Sequence, residues 1–343
     1  MASSGEFARI ATYFAPLAAG YPGAFGLGDD AAVVAPSAGA ELVITTDTIV
    51  AGVHYIGDEA PDLIAQKLLR VNLSDLAAMG AAPRAYTLNL ALPPTFDDAW
   101  IAAFAAGLAA DQDRYGIVLI GGDSVATPGP ATLSVTGLGE VPIGGALRRN
   151  GARPGDIVFV SGTIGDAALG LLAARGSLAL SCAAALIERY RSPRPRLALG
   201  RKLRGLVHAT TDISDGLVAD LGHIVAESGV AARIDAGAVP LSGAARAAFG
   251  SGNDFFRQND KSITQITILA EKSSFVQKLA RGVSGAKCCP IWTRKSILRS
   301  GTRRQDLNHS ATHPQSRRPD APSALDAPTH PQIPMFRRFD VST

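Results

Sequence analysis

Six aspartates lie at a glycine turn or directly after short apolar runs, and their type and placement suit them to metal chemistry. They are Asp29, Asp30, Asp47, Asp123, Asp212 and Asp215. Carboxylates gathered at strand ends repel one another and resist desolvation, so folded proteins keep them together mainly around cations. Hard oxygen ligands favour Mg²⁺, which shares its coordination shell with phosphate oxygens and water. The pattern therefore predicts a Mg²⁺-dependent phosphotransferase that uses ATP.

A further aspartate, Asp75, is predicted to point inward from a helix. Residues 62–79 have a helical pattern, and one stripe of that helix consists of Ile64, Leu68, Val71 and Asp75. An unpaired carboxylate on an apolar stripe would cost several kcal/mol or take up a proton. Alternatively, Ser74 and Asp75 cap a second short helix over residues 76–79. The pattern alone leaves both interpretations open, and a cap does not exclude metal binding.

Small residues accompany two of these acids. Gly121 and Gly122 precede Asp123 in the predicted exit loop of a strand over residues 117–120, and glycines let backbone N–H groups approach a phosphate. Ser214 lies between Asp212 and Asp215 and is a natural N-cap for the helix that follows. Capping explains one residue of that group but not all three.

The remaining polar candidates carry weaker signals. His54 follows Gly52-Val53 and, taken alone, is interpreted as an exposed loop histidine. Arg148 and Arg149 belong either to a solvated linker or to a phosphate clamp that uses their planar guanidinium groups. The sequence contains no G-x-x-x-x-G-K-[ST], H-R-D or G-x-G-x-x-G motif. Phosphate charge would therefore be offset by Mg²⁺, arginine and backbone amides.

Alternating strands and helices must position these residues, which predicts an α/β fold in layers. Residues 31–35 and 41–46 are predicted strands, and residues 230–234 are a possible further one. The basic, glycine-bearing connection over residues 144–155 is the candidate domain boundary. We therefore predict an N-terminal domain over residues 1–143 and a C-terminal domain over residues 144–250.

The composition changes after about residue 250. Residues 1–250 contain 18 Lys and Arg against 23 Asp and Glu, whereas residues 251–343 contain 15 against 7, so the chain's net charge of +3 describes neither part. We infer no nucleic-acid binding from it. Residues 251–343 are predicted to be a basic tail, largely disordered from about residue 301.

Features of soluble cytoplasmic proteins dominate the rest of the sequence. The three cysteines, Cys182, Cys288 and Cys289, form neither a disulfide framework nor a zinc spacing, which is typical of a reducing cytosol. No uncharged apolar run approaches the roughly 18 residues of a membrane helix. The N-terminal residues also lack the basic and apolar regions of a signal peptide. We therefore expect a cytoplasmic protein without a membrane segment.

Seven sequence blocks together resemble the thiamine-monophosphate kinase family, in the family's order and over about residues 5–245. They are GLGDDAA at 26–32, TTDTIVAGVH at 45–54, NLSDLAAMGA at 72–81, LIGGD at 119–123, RNGARPGD at 149–156, SGTIGD at 161–166 and DISDGL at 212–217. The resemblance implies a two-domain α/β fold like that of aminoimidazole ribonucleotide synthetase. It also implies a homodimer formed by the N-terminal domains.

The implied reaction is ATP plus thiamine monophosphate giving ADP plus thiamine diphosphate. The resemblance implies catalytic roles for Asp47, Asp123 and Asp212. It assigns several Mg²⁺ ions to Asp30, Thr45, Thr46, Asp47, Asp75, Asp123, Asp212 and Asp215. It further implies ATP contacts for Gly122, Arg149 and Ser214, and a thiamine-phosphate contact for His54.

The sequence departs from the family after residues 240–242. The family continues with a Gly-Gly-Asp-Asp-Tyr-Glu block and later supplies an aromatic residue against the thiamine, and neither is present here. We interpret the departure as a change of reading frame near residues 245–255. Two alternatives therefore stay open, a catalytically impaired nucleotide- and Mg²⁺-binding protein, and another ATP-dependent member of the same superfamily.

Overall fold

Alternating burial along four segments produces a sheet in the first half of the chain. In this computed structural model, which describes residues 5–178, 182–249 and 268–271, the strands are β1 (Ala40–Val50), β2 (Ala82–Leu92), β3 (Val118–Ala126) and β4 (Thr132–Pro142). Their order is β1–β4–β2–β3. β2 and β3 run parallel, and the other two pairs are antiparallel. The β-branched residues of β1 favour this extended backbone.

The helices of this half pack against the sheet. After the short helix α1 (Glu6–Arg9) they are α2 (Pro61–Ala78) and α3 (Asp98–Tyr115). The side chain of Asp97 caps α3 by accepting the backbone N–H of Trp100 at 2.9 Å, and Gly116 ends the helix with a φ of 67°. Leu68, Phe104 and Leu133 belong to the core between helices and sheet, and each is completely buried.

A smaller sheet organises the second half of the described chain. Its strands are β5 (Ile157–Val160), β6 (Ala209–Thr211) and β7 (Ile268–Glu271), in the antiparallel order β5–β7–β6. Its helices are α4 (Asp166–Ala174), α5 (Ala183–Arg191), α6 (Leu197–Leu203), α7 (Leu217–Ser228) and α8 (Gly243–Phe249). Ile213, Leu217 and Leu221 pack in its core. The α/β fold expected from the sequence is confirmed.

Two predicted strands are wrong. Residues 31–35 form no strand, and their backbone is held instead by a hydrogen bond from the Val33 N–H to the Gly23 carbonyl at 2.8 Å. Residues 230–234 also lie outside any strand. Both segments are short and apolar, but strands form only where a neighbouring strand supplies hydrogen-bonding partners along their length.

β3 is longer than predicted because its glycines continue the strand instead of ending it. Gly122 pairs with Leu88 of β2, and a Cβ added at Gly122 would lie 1.9 Å from the Leu88 carbonyl oxygen. A glycine is therefore needed here for the close approach of the two strands. This packing requirement is independent of any phosphate contact.

The described residues do not decide every prediction about chain organisation. One sheet precedes residue 143 and the other follows residue 156, yet the domain boundary at residue 144 stays a prediction. Apart from β7, the predicted tail lies outside the described residues, and so does the predicted change of frame beyond residue 249. In the part of the chain that the structure describes, no helix is both long and apolar enough to cross a membrane.

Candidate active site

Three elements bring carboxylates toward one another beside the first sheet. Asp47 lies on β1, Asp75 on α2, and Asp212 and Asp215 in the loop between β6 and α7. Burial and the nearby charges of Asp75 and Asp215 raise the pKa of Asp47 to about 6. Burial and the charge of Asp75 are also the first two causes that raise the pKa of Asp212 to about 7. The four acids therefore share one electrostatic environment.

Asp75 joins α2 to the sheet within this group. Thr45 donates its hydroxyl to the Asp75 carboxylate at 2.5 Å. Burial raises the pKa of Asp75, while this hydrogen bond and the charge of Arg149 oppose the shift. α2 is unbroken from Pro61 to Ala78, so the inward-facing interpretation is confirmed and the alternative of a second, capped helix is wrong.

Arg149 is the basic partner of the cluster. Burial raises the pKa of both Asp75 and Asp212, and the positive charge of Arg149 partly opposes that rise, although Arg149 itself is exposed. The backbone N–H of Thr210 donates to the Arg148 carbonyl at 3.0 Å, and Ser228 donates its hydroxyl to the Arg149 carbonyl at 2.7 Å. These two hydrogen bonds fix the backbone of Arg148 and Arg149 to β6 and to α7. An exposed guanidinium on a fixed backbone can bind a phosphate beside the acids.

The donor set of the cluster fits Mg²⁺ shared with phosphate oxygens and water. In the ranges covered by the structure, no three His, Cys, Asp or Glu side chains lie close enough to enclose a cation by themselves. All the donors are nevertheless oxygens, and the raised pKa values of Asp47 and Asp212 show an excess of buried negative charge. Mg²⁺ usually binds through one or two carboxylates and keeps other ligands from substrate and solvent.

The raised pKa values predict how the stability of the metal-free protein depends on pH. An acid whose pKa is raised by folding binds more protons in the folded than in the unfolded state, so it destabilises the fold as pH rises. For Asp212 this happens between its usual value of 3.8 and about 7. We expect Asp212→Asn to gain stability relative to the wild type across that interval, by a few kcal/mol at pH 7.5.

Urea unfolding in a chelator at pH 4 and pH 7.5 measures this effect. Asp235→Asn is the matched control, because Asp235 accepts only a local backbone N–H and lies on an exposed turn. Equal wild-type and Asp212→Asn stabilities at both pH values would contradict the expectation.

A second group of predicted residues lines a cavity of about 310 Å³ between the N-terminal segment and the sheet. Its polar lining consists of Asp29, Asp30, Thr87, Gly121, Gly122, Asp123 and Ser124. Apolar side chains such as Phe14, Leu27 and Leu90 also line it. The cavity thus brings Asp30 and Asp123 together, but Asp47 and Asp212 are not among its lining residues.

Thr46 is placed apart from the other predicted ligands. Side chains alternate across a strand, so Thr45 and Asp47 face one side of the sheet and Thr46 faces the other. The Thr46 hydroxyl donates to the Val135 carbonyl at 3.1 Å. Its role as a metal ligand stays a prediction that the side-chain direction does not support.

Asp220 is a buried acid that the sequence interpretation missed. Its carboxylate accepts the backbone N–H groups of Ser214, Asp215 and Gly216 at 2.9, 3.2 and 3.1 Å. Ser214 therefore does not cap α7, which begins after Gly216 without a side-chain cap. The signal was available, because Asp220 lies on the same apolar stripe of α7 as its core leucines, the argument applied to Asp75. Asp220 fixes the loop that carries Asp212 and Asp215.

His54 lies on an exposed turn after β1, as expected. The backbone N–H of Val50 donates to its Nδ1 at 3.1 Å. An accepting Nδ1 places the proton of the neutral ring on Nε2. The ring can therefore donate one hydrogen bond toward solvent or a ligand.

Comparisons with known proteins show which family the chain belongs to. The family models of AIR synthase related protein match the chain, the N-terminal domain over residues 28–141 and the C-terminal domain over residues 153–293. A thiamine-monophosphate kinase of Caulobacter vibrioides is 48% identical over 242 residues, which make up 71% of this chain and 68% of that protein.

Two solved structures are also similar. The thiamine-monophosphate kinase from Stenotrophomonas maltophilia K279a has a TM-score of 0.69 and 42% identity, covering 75% of this chain and 83% of that one. The complex of AaThiL with AMPPCP and TMP has a TM-score of 0.63 and 30% identity, covering 73% and 85%. These matches show that the chain belongs to the thiamine-monophosphate kinase family within the AIR synthase related proteins.

Proposed function

We propose that this protein transfers the γ-phosphate of ATP to thiamine monophosphate, giving ADP and thiamine diphosphate. The observation that carries the proposal is the convergence of Asp47, Asp75, Asp212 and Asp215, with raised pKa values at Asp47 and Asp212. Family membership identifies the acceptor, since AaThiL is described in complex with AMPPCP and TMP. Two phosphate-bearing ligands suit this site, because its acids would bind them through Mg²⁺ and Arg149 adds positive charge.

The reaction needs positioning more than proton transfer. The bond between the γ-phosphorus and the β,γ-bridging oxygen breaks as the γ-phosphorus bonds to an oxygen of the acceptor phosphate. That oxygen is already anionic at neutral pH, so no general base is required. The obstacle is the repulsion between two polyanions, which the site must align and neutralise.

We propose that Mg²⁺ ions are held by Asp30, Thr45, Asp47, Asp75, Asp123, Asp212 and Asp215, and we leave out Thr46, whose hydroxyl lies on the other side of the sheet. Bound Mg²⁺ would neutralise charge on the transferred group. The protein's own contribution is to hold the acidic side chains in place. The Thr45 hydroxyl orients the carboxylate of Asp75, and Asp220 fixes the loop of Asp212 and Asp215. Asp47, Asp123 and Asp212 are the proposed catalytic residues.

For the nucleotide, we propose contacts from Gly122, Arg149 and Ser214. Gly122 is exposed and lines the cavity next to Asp123, so its backbone is accessible to a ligand there. Arg149 supplies positive charge beside Asp75 and Asp212. Ser214 is exposed, and its backbone is anchored by Asp220, which leaves its hydroxyl free to face a ligand.

For the acceptor, we propose that the Nε2–H of His54 donates to the phosphate of thiamine monophosphate. A hydrogen bond to a charged group contributes about 1.5–3 kcal/mol, so His54→Ala should raise the KM for thiamine monophosphate about 10- to 100-fold. The KM for ATP should stay within about twofold, because the nucleotide contacts lie elsewhere. His223→Ala, on the exposed face of α7, is the matched control. Equal changes in both KM values would remove His54 from this role.

The proposed assembly is a homodimer formed through the N-terminal sheet. The side of the sheet that faces away from α2 exposes Ile44 of β1 by 63%, beside the hydroxyls of Thr46 and Thr48. Val125 of β3 is 51% exposed. Exposed apolar side chains on a sheet commonly mark an interface.

We place the enzyme in the cytoplasm, which the sequence's few cysteines support.

Turnover of ATP and thiamine monophosphate with Mg²⁺, read as thiamine diphosphate formed, tests the function directly. A parallel Mg·ATP binding measurement separates the alternatives. Binding without diphosphate product would favour a catalytically impaired nucleotide-binding protein. ATP consumption with a different small substrate would instead favour another member of the superfamily.

A further inference from the structure

A buried lysine lies directly behind the turn that carries His54. Lys67 of α2 is 2% exposed, and its Nζ donates to the His54 carbonyl at 3.0 Å. The same Nζ lies 3.8 Å from the ring centroid of Tyr190 on α5. Burial lowers the pKa of the ammonium group to about 8, although the charge of Glu59 opposes the shift. Burying an ammonium group is costly, so its fixed partners need an explanation.

Glu59 holds the other end of the same turn. It is 8% exposed and accepts the backbone N–H groups of Ile56 and Gly57 at 3.0 and 2.8 Å. The Tyr190 hydroxyl also donates to Glu59 at 3.2 Å. Lys67, Glu59 and Tyr190 thus form one buried network, which we call the turn-anchoring network.

The network limits how the His54 ring can point. Lys67 fixes the His54 carbonyl, and the Val50 N–H fixes Nδ1 from the strand side. With its backbone and one ring nitrogen held, the imidazole presents Nε2 in a single direction. The neighbouring Val53 is 69% exposed, so the fixed groups of the turn are those of His54.

We propose that Lys67, supported by Glu59 and Tyr190, is a positioning residue that orients His54 for the acceptor's phosphate. The inference rests on the proposed role of His54 in acceptor binding. Without the Lys67 contact, the turn samples other conformations, and the Nε2–H donor is aligned for only part of the time. Misalignment of a binding group lowers affinity without removing the group itself.

Lys67→Met tests the proposal, because methionine fills a similar volume without the ammonium group. We expect the KM for thiamine monophosphate to rise about tenfold, with the KM for ATP within about twofold. Lys202→Met is the matched control, since Lys202 is exposed at the end of α6. A parallel rise in both KM values, or no change in either, would overturn the proposal.

A double-mutant cycle shows whether Lys67 acts through His54. If it does, adding Lys67→Met to His54→Ala should change the acceptor KM less than about twofold further. An additive, tenfold further increase would contradict the mechanism. Tyr190→Phe is the second variant if Lys67→Met fails to fold. It removes only the hydroxyl and should raise the acceptor KM about threefold.

The imidazole ¹⁵N spectrum of ligand-free protein separates this inference from the proposed function. The wild type should show a fixed Nε2–H tautomer, and Lys67→Met should shift toward the averaged signals of a mobile ring. If His54→Ala leaves the acceptor KM unchanged, the proposed role of His54 in acceptor binding is wrong, even if the imidazole signals change in Lys67→Met. An unchanged imidazole ¹⁵N spectrum in Lys67→Met would contradict the proposal that Lys67 positions His54, whatever the turnover measurements show.

Discussion

Asp47→Asn is expected to lower kcat about 100- to 1,000-fold while the protein stays folded. Burial and then the nearby charges of Asp75 and Asp215 raise the pKa of Asp47. An asparagine keeps the size of the side chain but removes the charge that would hold a cation beside the transferred phosphate. Asp123→Asn, in the cavity between the N-terminal segment and the sheet, is expected to behave in the same way.

Thermal unfolding in metal-free buffer separates loss of chemistry from loss of structure. Relief of carboxylate repulsion should raise the midpoint of Asp47→Asn by a few degrees, about 2–4 °C for each kcal/mol gained. Asp113→Asn is the matched control, because Asp113 is exposed on α3 and should change neither activity nor midpoint. Near wild-type turnover by both site variants would show that these carboxylates are not catalytic.

Asp111→Ala is expected to destabilise the protein by about 3–5 kcal/mol, the largest effect on folding that we predict. Arg70 of α2 donates from Nε and Nη2 to the two carboxylate oxygens of Asp111 on α3, each at 2.7 Å. The side chains are only 6% and 1% exposed. Removing the carboxylate would leave a buried guanidinium without the negative charge that Asp111 supplies. Urea unfolding, monitored by circular dichroism, measures the loss.

The matched comparison replaces both partners. Arg70→Met combined with Asp111→Leu should recover much of the stability, because two apolar side chains leave no buried charge. Arg70 also donates to the Ser192 hydroxyl and to the Pro193 carbonyl, so the double variant should still weaken the segment after α5. A loss below about 1 kcal/mol in Asp111→Ala would contradict the assignment of a tightly coupled buried pair.

Helical periodicity indicated two buried acids of the site but did not decide how either is placed. The stripe on α2 left an inward-facing Asp75 as one of two interpretations, and the structure decides for it through the Thr45 hydrogen bond. Asp220 lies on the corresponding stripe of α7, where the same periodicity would indicate an inward-facing acid, and its carboxylate fixes the Ser214–Gly216 loop. An acid on an apolar stripe needs a partner, and the sequence does not say which one.

The sequence by itself determined the family, the α/β fold class and the set of acidic residues, because these depend on local motifs and on periodicity along the chain. Only the tertiary structure decided which residues meet. It brings Asp47, Asp75, Asp212 and Asp215 into one group. Asp30 and Asp123 instead line a cavity to which those four acids do not contribute.

The structure also turns Thr46 to the opposite face of the sheet and sets Lys67 behind His54. Such contacts join residues far apart in sequence, and the register of paired strands and the packing of helices on them determine which contacts form.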